Sequence, residues 1–203
     1  MRTPSNGSGK LPAANRGVLY TMTDEQLPNR FLELAPDHLA PEHRAGLDAL
    51  LQGRGRIPTP YKVWLHSPGL MRAMEQLGTF LNKQSTLTAR EIELGICLVA
   101  RHWRTEYLFR AHGARAIKSG MPPAVIAALR DNRTPDLPDP REQAIYEIAT
   151  LAELPGPGPD HTFDKAVDIL GRDGLAEVMC LLGYYSAVAI AMKLHRVPLP
   201  PAV

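Results

Sequence analysis

The side chains that could move protons or bind charge crowd into one stretch, RHWRTEYLFRAH at residues 101–112. Histidine is the side chain that ordinarily titrates near neutrality, and His112 closes this stretch. Counting back at helical spacing, Leu108 and Thr105 share a stripe with His112, and Ala116 follows. That stripe is small and mostly uncharged, so an imidazole on it can face a pocket, although a hydrogen-bonded structural histidine is the plainer reading. Two carboxylates compete as its partner. Glu106 lies six residues back, about 120° away on a continuous helix, and is better placed to pair with Arg110 one turn on. Its catalytic reading requires a helix that starts at or after Glu106. Glu93 lies on the preceding helical pattern, on a stripe with Cys97, Ala100 and Arg104. A buried Cys97 would draw Glu93 inward, where a carboxylate beside His112 would hold the imidazole tautomer for general acid–base work. Arg101, Arg104 and Arg110 offer guanidinium forks for a substrate carboxylate, and Arg115 and Lys118 add to the local basic excess.

Other chemistries find little support. The spacings HExxH, HxxEH and paired CxxC are absent, and His102, His112 and His195 are scattered, so no metal site is expected. A nucleophile elbow, a P-loop and a GxGxxG turn are missing too. The net charge of +2 demands neither nucleic acid nor an anionic membrane as a partner. No uninterrupted apolar run is long enough to span a bilayer, so no membrane span is expected. Cys97 and Cys180 both lie in apolar runs and are expected to pack in the core as reduced thiols, with the cytoplasm as the simplest compartment.

The elements that must position these residues are helices. From residue 40 onward, Pro and Gly punctuate helical patterns, and no two-residue alternation bounded by hairpin turns occurs. The fold class is all-α. PEHRAGLDALLQG opens with Pro41, and SPGLMRAMEQLGTFLNKQ opens with Ser67 and repeats Leu70, Met71, Met74, Leu77 and Leu81 at helical spacing. Thr88 and Glu91 fit a capping box ahead of REIELGICLVARHW. Further helices are expected in EYLFRAHGARAIKSG, in PPAVIAALRDN and after Asp139-Pro140, with PGPGP at 155–159 as a hard break. The last helix, about 173–196, is apolar nearly all round and should be central. Residues 1–39 read as a leader, partly disordered or extended, with one helical domain at 40–203.

YKVWLHSPGLMRAMEQLGTFL, LTAREIELGICLVARHWRTEYLFRAHGARAIKSGMPPAVIAAL and LLGYYSAVAIAMKLHRVPLPP resemble the carboxymuconolactone decarboxylase family, which includes the alkylhydroperoxidase D-like proteins. The resemblance runs from about residue 60 to 200. It implies an alkylhydroperoxidase D-like helical bundle, homo-oligomers (commonly trimers or hexamers) and active sites near subunit contacts. The peroxidase branch carries CxxCxxxH with a proton-relaying glutamate one helix earlier. His112 falls on the motif histidine and Glu93 on the relay glutamate, while the two cysteine positions fall on Thr105 and Leu108. That substitution argues against peroxidase chemistry, which needs a thiolate and a resolving thiol. The decarboxylase branch uses no metal or organic cofactor and acts on a lactone bearing carboxylates. On that resemblance, a small-molecule substrate would meet His112 and Glu93 as proton-moving groups, Glu106 as a secondary candidate, and Arg101, Arg104 or Arg110 as the carboxylate-binding group. A ligand-binding or structural oligomer that retains the scaffold without catalysis is the alternative.

Overall fold

The computed structural model describes Arg30, residues 39–55 and residues 57–199. The expected leader lies outside the described residues apart from Arg30 and Leu39. Among the described residues the regular structure is entirely helical: α1 (Pro41–Arg54), α2 (Thr59–Trp64), α3 (Pro68–Lys83), α4 (Ala89–His102), α5 (Glu106–Lys118), α6 (Pro123–Arg130), α7 (Pro140–Ala152) and α8 (Asp160–Leu194).

The capping box forms as its spacing requires. Thr88 Oγ1 accepts from the Glu91 backbone N–H at 3.2 Å, and Glu91 Oε2 accepts from the Thr88 N–H at 2.7 Å. It launches α4, which packs against α3, α5, α6, α7 and α8. From Glu91 to Ala100 every residue of α4 is buried except Glu93, which is partly exposed. The central helix is therefore α4 and not the last one. A Cβ on Gly95 would come within 2.8 Å of Leu181 Cδ2, so the missing side chain lets α4 and α8 approach closely.

α8 is longer than expected, running through the predicted start near 173. At Gly171 the backbone takes φ 73° and ψ 165°, a conformation open to glycine alone, and the helix kinks there. Its apolar circumference is only half used. Met179, Cys180, Gly183, Ala187, Ile190 and Leu194 form an exposed stripe, while Leu181, Tyr184, Tyr185 and Val188 face inward. The expectation that both cysteines pack in the core thus holds for Cys97 and fails for Cys180, which is exposed. A helix that is apolar on every side carries no periodic signal to say which side is covered. By length and composition α8 could cross a membrane, but half of its most apolar window is buried inside this fold, as in the core helix of a globular protein.

Candidate functional site

The break between α4 and α5 sets the site. α4 ends at His102, Arg104 adopts a left-handed φ of 52°, and Thr105 is the N-cap of α5. This turn folds α5 back against α4. Thr105, Leu108, His112 and Ala116 all become buried against the neighbouring helices, as their common stripe requires. The same fold brings Glu93, the one partly open position between Glu91 and Ala100 of α4, to His112. Glu93 Oε2 lies 2.7 Å from His112 Nδ1. The side chains are 12% and 9% exposed, so the contact is largely shielded from water.

With Nδ1–H donated to the carboxylate, His112 carries a lone pair or a second proton at Nε2. Nε2 makes no hydrogen bond among the described residues, nor is it among the sealed polar atoms that lack a partner. The ring is also braced from α8. Tyr185 meets it edge-on, with centroids 5.5 Å apart and an interplanar angle of 75°. The Tyr185 hydroxyl donates to Asn82 Oδ1 at 3.3 Å, and Asn82 Nδ2 donates to the Gly78 carbonyl at 2.7 Å. Burial pushes the Tyr185 hydroxyl up to about 12; the Asn82 bond opposes the rise, the nearby Tyr184 and the Glu93 charge add to it, and the Arg115 charge opposes it. Tyr185 and Tyr184 stack edge-on in turn, and Tyr184 Oη lies 3.1 Å from Tyr61 Oη. The network therefore joins α2, α3, α4, α5 and α8 around one imidazole.

Other expected site residues fall elsewhere. α5 does start at Glu106, the condition its catalytic reading needed, but the carboxylate turns outward. It accepts from Arg110 Nε at 2.7 Å, and both side chains are nearly half exposed. The structure does not bring Glu106 or Arg110 to His112. Arg101 and Arg104 instead line a separate cavity of about 450 Å³, beside Thr105, Glu106, Phe109 and Arg130. A smaller cavity of about 190 Å³ lies between Trp103, Leu182 and Glu153. Neither is lined by Glu93 or His112. Arg115, three residues beyond His112, is exposed, and its charge acts on Tyr185. Sequence reasoning counted Arg115 in the basic excess without assigning it a role, and it missed Tyr185 and Asn82. The LLGYY segment was in view, but nothing local says which helix its tyrosines face.

The thiols do not complete a redox couple. Cys97 is fully buried, and burial, followed by the Glu93 charge, pushes its thiol up to about 12. Cys180 is on the exposed stripe of α8 and makes no disulfide. Among the described residues, no three His, Cys, Asp or Glu side chains gather in a group that could hold a metal ion.

Solved structures share the fold at low sequence identity. An uncharacterized peroxidase-related protein from Silicibacter sp. TM1040 superposes with a TM-score of 0.67 at 16% identity, covering 86% of this chain and 93% of that one. An uncharacterized peroxidase-related protein with an alkylhydroperoxidase AhpD core, from Ralstonia eutropha JMP134, gives 0.67 at 17% identity, with coverage of 85% and 93%. The debrominase Bmp8 in its apo form gives 0.65 at 13% identity, with coverage of 84% and 92%. No curated protein matches the chain by sequence. The helical bundle is thus of the alkylhydroperoxidase D-like class. Residues 68–151, which hold α3 to α6, most of α7 and the Glu93–His112 pair, match the model of the carboxymuconolactone decarboxylase family.

Proposed function

We propose that the protein is a cofactor-independent proton-transfer enzyme of the carboxy-lyase type, acting on a small organic substrate that bears a carboxylate. The observation that carries this reading is the shielded 2.7 Å contact between Glu93 and His112 Nδ1, which leaves Nε2 to exchange a proton with substrate. In a decarboxylation the C–C bond electrons pass to the substrate's conjugated carbonyl as CO2 leaves, and His112 Nε2–H delivers the proton that replaces it. Glu93 stabilises the imidazolium and fixes its orientation, and Arg115, three residues on from His112, is the candidate to hold a carboxylate. Peroxide reduction fits poorly, because Thr105 and Leu108 occupy the thiol positions and Cys97 is sealed from solvent.

The exposed apolar stripe on α8 suits contact with a second copy of the chain, supporting a homo-oligomer, with a trimer or hexamer expected from the family. Two free cysteines fit a reducing cytoplasm. One observation favours the alternative of a non-catalytic ligand-binding oligomer: the two cavities described are not lined by the pair.

A panel of carboxylate-bearing lactones and β-keto acids, assayed for CO2 release and for solvent-deuterium incorporation, separates the readings. The wild-type protein should turn over at least one, and His112→Gln should lower that rate by at least about 100-fold while keeping the helical spectrum. Undiminished turnover in the variant, or none by the wild type, removes the enzymatic reading.

A further inference from the structure

We propose that the cavity at the α4–α5 turn is a second binding site, built for a small organic acid and separate from the Glu93–His112 pair. The cavity, about 450 Å³, is of the size that small ligands occupy. Three guanidinium groups reach its wall from three elements: Arg101 on α4, Arg104 in the turn and Arg130 on α6. Two of them are partly engaged. Arg101 Nη2 stands 3.6 Å from Glu153 Oε2, and Arg130 lies over the Phe109 ring at 5.2 Å. Arg104 has no ion pair among the described residues, while Glu106 in the same wall is already neutralised by Arg110. Glu153 is in the wall as well, so three guanidinium groups outnumber two carboxylates and the balance of charge is positive.

Two further features suit an oxyanion. Thr105 is 7% exposed, and its Oγ1 is buried with no hydrogen-bond partner, a costly state for a hydroxyl. It does not cap α5, so the first backbone N–H groups of that thirteen-residue helix are left without a side-chain acceptor beside the arginines. Ala100, Phe109 and Leu129 give the wall an apolar part that would cover the body of a ligand, while His102, Asn132 and Glu153 complete its polar part. A carboxylate joined to a flat apolar body matches both halves; a bare inorganic ion matches only one. Thr105 and His112 are seven residues apart on α5, roughly 10 Å of helical rise, so one small molecule would not touch both centres. This assignment is independent of the proton-transfer reading.

Calorimetric titration of the full-length protein with benzoate, its neutral isostere benzamide and inorganic phosphate tests the site. Benzoate should bind and raise the melting temperature, with benzamide and phosphate each at least about tenfold weaker. Arg104→Asn removes the cation while keeping a residue that tolerates the left-handed backbone, and it should weaken benzoate at least about tenfold. Arg130→Gln should weaken it as well, and His112→Gln should leave it unchanged. Absence of benzoate binding, equal binding of benzamide or phosphate, or unaltered affinity in both arginine variants would overturn the proposal. Loss of benzoate binding in His112→Gln would place the ligand at the pair and overturn the separate site.

Discussion

Glu91 and Glu93 stand two positions apart on α4, both are largely buried, and each meets its partner at under 3 Å, yet they do opposite work. Glu91 accepts from Arg141 Nε at 2.6 Å while its other oxygen closes the capping box. On the adjacent position Arg90 binds Glu142 through both nitrogen ends, the outer bond being 2.8 Å, so the two pairs cross between α4 and α7. Each arginine is raised in pKa, first by its hydrogen bond to the carboxylate, and neither releases a proton under ordinary conditions. That end of α4 is a clamp with fixed charges. Glu93 meets an imidazole instead, which can gain or lose a proton at Nε2 while Nδ1 stays bonded. The chemical nature of the partner, more than burial or distance, separates structural support from a site able to do chemistry.

The sharpest way to break this contrast is to remove an arginine from the clamp. Arg141→Ala leaves Glu91 buried at 4% side-chain exposure without its cation, and should cost about 3 kcal/mol in a denaturant titration. That is the low end for such a loss, because the guanidinium itself is partly solvated. His112→Gln can still donate to Glu93 and should cost only about 1 kcal/mol, despite its large effect on turnover. Equal stability losses at the two places would erase the distinction.

Alkaline pH gives a second handle, on the interior beside the pair. The buried Cys97 thiol titrates at about 12 against about 9 in the unfolded chain. The unfolded state loses its proton first, so the stability contributed by this group is complete below about 9 and declines as pH rises toward 12. The slope is roughly 1 kcal/mol per pH unit in that window. Tyr185 acts in the same direction between about 10 and about 12. Stability curves at pH 8 and 10 should therefore diverge less for Cys97→Ala than for the wild type. The smallest effect belongs to the exposed Glu106–Arg110 pair. Glu106→Ala should shift stability by no more than about 0.5 kcal/mol and leave any turnover intact, and a loss of activity would return Glu106 to the catalytic site.

Much of this was legible from residue order. The capping box at Thr88–Glu91, the Asp139 cap and the stripe from Thr105 through His112 to Ala116 are local patterns, and local hydrogen bonding with helical phase decides them. The family motif singled out Glu93 and His112 together, although they are nineteen residues apart. The arginines were less readable. Arg101, Arg104 and Arg110 are neighbours in sequence, but the turn at Arg104 separates their directions, sending two to a cavity and one to solvent.

Sequence alone therefore determined that the chain is helical, where most helices begin, and which imidazole and carboxylate are candidates to move a proton. The first two are properties of short segments, set by caps, breakers and periodicity, and the candidate pair follows from the family resemblance. Only the tertiary structure decided that α4 rather than α8 is the buried centre, that Cys97 is enclosed while Cys180 is exposed, and that Tyr185 braces the His112 ring. Helical phase says which residues share a face; it carries no information about which distant helix that face will meet. For α8, apolar on every side, it does not even choose the face.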